Sequence, residues 1–423
     1  MKIRQVEAFQ IFDSRGVPTV EAHVTLEDGT RGVGVAPSGA STGQFEALEL
    51  RDRATRFRGK SVFKAIEHIH SELAPAIAGK GVFEQERLDR LMIELDGTPN
   101  KSRLGANAIL PVSMAIANAA TNARKVPLFA SLGDGNVLPI PEIQIVGGGA
   151  HANWRTDVQD FLLIANGATS FEQTLEITHD VFHAAGDLMR KRGTYFGVAD
   201  EGGYWPQFDR NEDAIAFVVE AIISAGYTPG KDAAIALDIA ASDLFDESSQ
   251  RYSFKLENRT FTSDEFCHLI SGWCDKYPII SIEDPLADTD WTGWQKITQR
   301  LGKRIQLVGD DLFTTNVARI REGIEKKVAN AVLIKLNQIG TVTETIEAIH
   351  LTQKAGYQPI VSARSGETED AFISHLAVAT NAGQLKVGSF SRTERMVKWN
   401  EVLRIQRHLG TSASYNGFSA LKG

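Results

Sequence analysis

Ala331-Val332-Leu333-Ile334 is a short apolar run that stops on Lys335. Three earlier runs share its form and end on acids: 234–237 before Asp238, 279–282 before Glu283, and 305–309 before Asp310. Short runs that are apolar almost throughout are the pattern of strands buried on both faces of a parallel sheet. From Glu283 to Asp310 to Lys335 the steps are roughly 25 residues, room for one strand, one helix and two short loops. That period predicts a (β/α)8 barrel, in which functional residues gather at the carboxyl ends of the strands.

The first third of the chain is patterned differently. Residues 3–11 and 19–26 alternate between apolar and polar, Asp28-Gly29 supplies a tight hairpin, and 31–36 completes a three-stranded meander. Residues 61–77 read as an amphipathic helix with Val62, Phe63, Ile66, Ile69 and Leu73 on one stripe. Residues 103–124 are alanine-rich and helical, with Pro111 expected to kink the helix or start its second half. The small polar string 131–136 reads as a linker. The expected organisation is an α+β domain over 1–134 and a (β/α)8 barrel over 135–423. Inside the barrel, strands at 140–146 and 158–165 precede a long helix at 170–192, and a short strand at 195–199 leads into Asp200-Glu201-Gly202-Gly203.

Composition narrows the function. Of 423 residues, 43% are hydrophobic and 23% charged, as in ordinary globular proteins. A net charge of −8 argues against nucleic acid or an anionic membrane as partner. No signal peptide opens the chain and no apolar run is long enough to span a bilayer, so a cytoplasmic location is expected. Cys267 and Cys274 lie seven apart on one helical pattern, which predicts core thiols and a reducing compartment.

Several residues carry candidate chemistry. A lysine ending a buried strand loses hydration, so Lys335 either reaches solvent or serves as a base. Asp238, Glu283 and Asp310 either cap the helices that follow or converge on a hard cation, and oxygen-only ligands point to Mg²⁺. The stretch Ala36-Pro37-Ser38-Gly39-Ala40-Ser41-Thr42-Gly43 is either a surface linker or a lid whose amides and hydroxyls close over an anion. Glu201, before two glycines, is a turn acid or a general acid.

These stretches carry a resemblance. Asp13-Ser14-Arg15-Gly16, Ser38 to Gly43, Asp200 to Gly203, Ser281-Ile282-Glu283-Asp284-Pro285, Gly309 to Leu312, Lys335 to Gly340 and Arg364 to Asp370 occur in the order found in enolases. The chain is similar to that family, the phosphopyruvate hydratases, over nearly its whole length. The resemblance implies an N-terminal α+β capping domain followed by a modified (β/α)8 barrel, and a glycolytic Mg²⁺-dependent lyase that reversibly dehydrates 2-phosphoglycerate to phosphoenolpyruvate, with two Mg²⁺ at the barrel mouth. It makes Asp238, Glu283 and Asp310 ligands of the first ion and Ser41, with the lid residues Gly39 and Ala40, part of the closing loop that meets the second. It makes Lys335 the base, with a pKa lowered by neighbouring cations, and Glu201 the acid that helps hydroxide leave. Lys398 would hold the substrate carboxylate, Arg364 and Ser365 its phosphate, with His151 nearby. A homodimer, with Asp13 to Gly16 near the interface, is also implied.

The chain departs from the family where the leaving hydroxyl would lie. Ala363 stands where the family has histidine, and Gln159-Asp160 where it has glutamine-glutamate, so that carboxylate is pulled back by about 1.5 Å. Residues 153–158 are bulkier and more charged, and Tyr204-Trp205 is heavier. Water or the Arg155 side chain is expected to fill the space left by Ala363. Two other readings therefore stand beside an enolase: a relative with altered third-carbon chemistry, like a carboxyphosphonoenolpyruvate synthase, and a catalytically silent protein on this fold.

Overall fold

The computed structural model describes residues 1–421 apart from 41 and 54. It begins with the antiparallel meander β1 (Ile3–Phe12), β2 (Pro18–Leu26) and β3 (Arg31–Val35). Alternation places Val20, Ala22, Val24 and Leu26 on the buried face. Helix α1 (Ala106–Arg124) lies across that face and runs on unbroken through Pro111. The strand and helix touch backbone to backbone, because β3 presents Gly32 and Gly34. A Cβ on Gly32 would stand 2.1 Å from the Ala115 carbonyl oxygen, and one on Gly34 2.2 Å from that of Pro111.

The predicted helix at 61–77 forms as three consecutive pieces, Phe63–His68, a π turn at Ile69–Leu73, and Ala74–Ile77. Val62, Ile69 and Leu73 are buried as expected. Phe63 instead faces solvent beneath the Arg56 guanidinium, 4.8 Å from its ring centroid, and Ala65 takes the inward position.

Eight strands close the barrel: β4 (Ile140–Gly147), β5 (Asp160–Ile164), β6 (Ala234–Asp238), β7 (Ile279–Glu283), β8 (Gln306–Gly309), β9 (Ala331–Ile334), β10 (Gln358–Ser362) and β11 (Gln384–Gly388). They follow one another round the ring, and β11 returns to β4. All neighbours are parallel except at β5, which runs antiparallel to both β4 and β6. Helices α2 (Phe171–Arg192) and α3 (Asn211–Ser224) then precede β6. From there strand and helix alternate through α4 (Ser263–Lys276), α5 (Trp291–Leu301), α6 (Val317–Lys326), α7 (Val342–Lys354), α8 (Phe372–Ala379) and α9 (Thr393–Leu409). The expected strand at 195–199 does not form. Only Val198 bridges, to Tyr204, because the segment folds back on the Glu201 turn instead of joining a sheet.

The interior is closed at the end away from the mouth. Ile140, Leu162, Ile164 and Ala236 meet Ala420 and Leu421 of the final short helix, Gly417–Leu421, and Gln384 donates to the Ala420 carbonyl at 3.2 Å. Cys267 and Cys274 are buried free thiols on α4, and burial pushes both up to about 12. The 131–136 string is not loose: a Cβ on Gly135 would stand 2.0 Å from the Val378 carbonyl oxygen at the end of α8. Among the described residues, no helix is long and apolar enough to cross a membrane.

Candidate active site at the barrel mouth

The strand ends deliver their acids to one rim. Asp238 closes β6, Glu283 closes β7, and Asp310 and Lys335 directly follow β8 and β9. These acids are not helix caps. The side chains that cap α4, α5, α6 and α7 belong to Thr262, Asp290, Asn316 and Thr341. A cavity at the mouth is lined by His151, Asp160, Glu201, Asp238, Asp310, Lys335, Lys386, Arg364 and Ser365, with Gly39 and Ala40 contributed by the first domain.

Two lysines hold the acids. Lys386 Nζ lies 2.9 Å from Asp238 Oδ2 and 2.6 Å from Glu283 Oε2. Lys335 Nζ lies 2.5 Å from Asp310 Oδ2. Burial acts to raise the Asp238 carboxyl, but the Lys386 ammonium outweighs it and holds the group below its usual value. Glu283 goes the other way, raised by burial and by Asp238 beside it. Lys335 differs from the sequence expectation. Burial is the largest single influence and lowers its amine, yet the acids around it, Asp310 in direct contact and Glu283, carry the net shift upward. Arg364 and Lys386 push the same amine down.

Asp284 fixes the Asp310 turn. Its carboxylate accepts the backbone N–H groups of Asp310 at 2.9 Å and Asp311 at 2.7 Å. Oxygens of Asp284, Asp310 and Asp311 come within 4.8 Å of one another. The donor set at the rim is therefore all carboxylate, and Glu283 Oε1 is buried without a hydrogen-bond partner. Both features fit a hard divalent cation.

On the far side, His151 Nδ1 is 3.1 Å from Asp160 Oδ1 and Nε2 is 3.7 Å from Glu201 Oε1. Burial disfavours its charge, but Glu201 and Asp160 outweigh that and raise it to about 9, so the ring is an imidazolium at neutral pH. Glu201 is seated against β11: Ser389 N–H donates to its carbonyl at 2.9 Å, and a Cβ on Gly388 would stand 2.8 Å from the same oxygen.

Ser38 and Ala40 are pinned to the barrel and are not part of a free linker. Ser38 and Gly366 exchange backbone hydrogen bonds of 2.9 and 2.8 Å, and Ala40 N–H donates to Ser365 Oγ at 2.7 Å. Arg364 reaches Glu46 at 3.0 Å and Asn337 at 2.8 Å. The Asp13–Gly16 turn packs on the same place, with Arg15 donating to Ser365 Oγ at 3.2 Å. Ser41 lies outside the described residues.

Two expectations need correction. Lys398 does not line the cavity. It sits inside α9, fully buried, with its ammonium 2.7 Å from the Thr368 carbonyl and 3.0 Å from Glu367. A lysine on an outer helix props the loop after Ser365; a lysine on a strand, Lys386, enters the mouth. Sequence reasoning missed Lys386, which sits in the middle of its strand between Leu385 and Val387 and not, like Lys335, after the end of an apolar run. Arg155 does not fill the space beside Ala363. It is exposed and donates to Gln207 Oε1, while Ala363 lines the cavity wall. Gln159, which donates to Asp238 Oδ2 at 3.0 Å, was also unassigned.

With this geometry in view, the comparisons decide the family. Residues 3–132 match the family described as "Enolase, N-terminal domain", and 135–423 match "Enolase, C-terminal TIM barrel domain". The chain belongs to the enolase family. It is 56% identical over 417 residues to "Enolase 1" of Desulfitobacterium hafniense (strain Y51), covering 98% of this chain and 95% of that protein. As a member that matches both enolase domains, it is a carbon–oxygen lyase of a Mg²⁺-dependent family. At this identity, the readings of altered third-carbon chemistry and of a silent scaffold are not favoured.

Proposed function

We propose that the cavity dehydrates 2-phosphoglycerate to phosphoenolpyruvate, with Lys335 and Glu201 acting on opposite sides of the substrate. The observation that carries this reading is their placement. Lys335 follows β9, and Glu201 lies beside Asp160 at the start of β5, four places round the ring, yet both line one cavity. Lys335 takes the proton from the carbon bearing the carboxylate. The electron pair forms the carbon–carbon double bond, the C3–O bond breaks, and the departing hydroxide gains a proton on the Glu201 and His151 side to leave as water. An amine and an acid on opposite faces favour departure anti to the proton removed.

Lys386 is the residue we assign to the substrate carboxylate, and Arg364 and Ser365 to its phosphate. Asp238, Glu283 and Asp310 would hold the first Mg²⁺, and a second ion is expected with the 39–43 segment. When bound, Mg²⁺ supplies positive charge that offsets the acidic rim and the charge growing on the substrate carboxylate. A homodimer, a cytoplasmic location and a domain division near residue 134 complete the proposal.

The test is the ultraviolet absorbance of the enol product. Purified protein with 2-phosphoglycerate and Mg²⁺ is expected to turn over, Lys335→Ala to lose nearly all activity, and excess chelator to stop the reaction. A parent protein that produces no absorbance under these conditions would sink the assignment.

A further inference from the structure

Gln144 is a fully buried side chain on β4 that does not line the cavity. Both ends of its amide are in use. Nε2 donates to Asp160 Oδ1, and Oε1 accepts the Gly203 N–H at 2.8 Å. The β4–β5 register shifts between Gln144 and Val146, a bulge that re-aims the side chain toward the rim. Glycines make room for it: a Cβ on Gly203 would stand 2.5 Å from Gln144 Oε1, and one on Gly147 3.2 Å from its Cδ. One amide thus links the turn that carries Glu201 to the carboxylate of Asp160.

The link has a chemical consequence. Gln144 and His151 both bind the same oxygen, Asp160 Oδ1. Asp160 Oδ2 is left buried without a hydrogen-bond partner, 3.7 Å from Lys386 Nζ. A carboxylate held by one oxygen presents the other. Without Gln144, the Asp160 carboxyl keeps only its hydrogen bond with His151, and the Glu201 turn loses one of the bonds that keeps it from drifting away from His151. An unpaired amide or carboxylate in such a buried place costs enough to enforce the arrangement.

We propose that Gln144 is a positioning residue. It sets the spacing between the Glu201 turn and Asp160, and so holds Asp160 Oδ1 on the His151 side, toward the leaving group, with Oδ2 facing Lys386. The inference rests on the dehydration reading above for its kinetic arm only.

Two variants separate its two bonds. Gln144→Leu removes both. Gln144→Glu keeps the acceptor for Gly203 and replaces the donor to Asp160 with a like charge. Both are assayed with 2-phosphoglycerate at saturating Mg²⁺, and the ring nitrogen signals of His151, assigned with His151→Gln, are followed by NMR without substrate. Each variant is expected to lower kcat by about 10-fold or more while KM stays within about 3-fold, and to move the His151 signals. Gln144→Asn, shorter by one methylene, is expected to restore part of kcat. A variant that keeps kcat within about 2-fold of the parent, or one whose KM rises in step with its fall in kcat while the His151 signals stay put, overturns the proposal. If the parent itself shows no turnover, the dehydration reading fails, and the NMR arm still decides whether Gln144 holds the ring in place.

Discussion

Asp160 pairs with Asp238 across β5 and β6. The first belongs to the beginning of its strand and the second to the end, because β5 alone runs against its neighbours. A parallel β5 would have delivered Ile164 to the mouth and sunk Asp160 to the floor. The inverted strand is therefore what lets Asp160 stand beside Lys386, which also holds Asp238.

Lys386 and Lys398 differ in what they touch, and substitution separates them. Lys386→Met is expected to lower kcat/KM for 2-phosphoglycerate by on the order of 10³-fold, since it removes the ammonium from the cavity and strands two buried carboxylates. Lys398→Met is expected to keep KM within a few-fold but to lower the melting temperature, because Glu367 loses its buried partner. Steady-state kinetics and thermal melts in saturating Mg²⁺ check both. The reverse pattern would return the carboxylate role to Lys398.

Glu142, on β4 level with Lys386 on β11, makes stability depend on pH. Burial raises its carboxyl from 4.5 to about 7, against the pull of Lys386. Between those values the folded state binds the proton and the unfolded state does not, so stability falls as pH rises from about 4.5 to about 7. Glu142→Gln removes this loss. Denaturant midpoints in chelator are expected to agree near pH 5 and to differ by on the order of 2–3 kcal/mol at pH 8, the variant being the more stable. Equal differences at both pH values would contradict the assignment.

Gly366 is where the capping domain meets the barrel. A Cβ there would stand 2.1 Å from Asp13 Oδ2 and 2.7 Å from the Ser38 carbonyl oxygen. Gly366→Ala is expected to cost about 1–3 kcal/mol of stability and to raise KM, because Ala40 and Ser365 are displaced together. Chemical denaturation and a substrate titration read the two effects. A silent substitution would mean that the Asp13 turn is free to move.

Metal binding is expected to stabilise the fold. Melting temperature should rise with Mg²⁺ concentration, and the rise should be largely lost in Asp238→Asn, whose carboxylate no longer offers two charged oxygens at the rim. An unchanged Mg²⁺ response in that variant would remove Asp238 from the ligand set.

Much of this was legible in the sequence. Runs such as 331–334 and 279–282 have the length and polarity that only a doubly buried strand needs, and the acids that end them gave the rim. The meander was legible for the same reason, through alternation and the Asp28-Gly29 turn. Three things were not. Phe63 fits a helical stripe, but periodicity does not distinguish an inward ring from one beneath an arginine on the surface. The 195–199 segment has strand-forming residues but no neighbouring edge to pair with. Lys386 and Lys398 are both lysines near apolar residues, and only the closed ring tells which one lies inside it. The upward shift of Lys335 was equally hidden, because it depends on Asp310 reaching it from the end of the neighbouring strand β8.

The closing helix at Gly417–Leu421 plugs the end of the barrel away from the rim. Ala420 and Leu421 stopper its base against Ile140 and Leu162. Among the described residues, that leaves the rim, where the capping domain places Gly39 and Ala40, as the face through which substrate, product and protons would pass. Anything that slows movement of the Gly39–Ala40 doorstep would slow all three together.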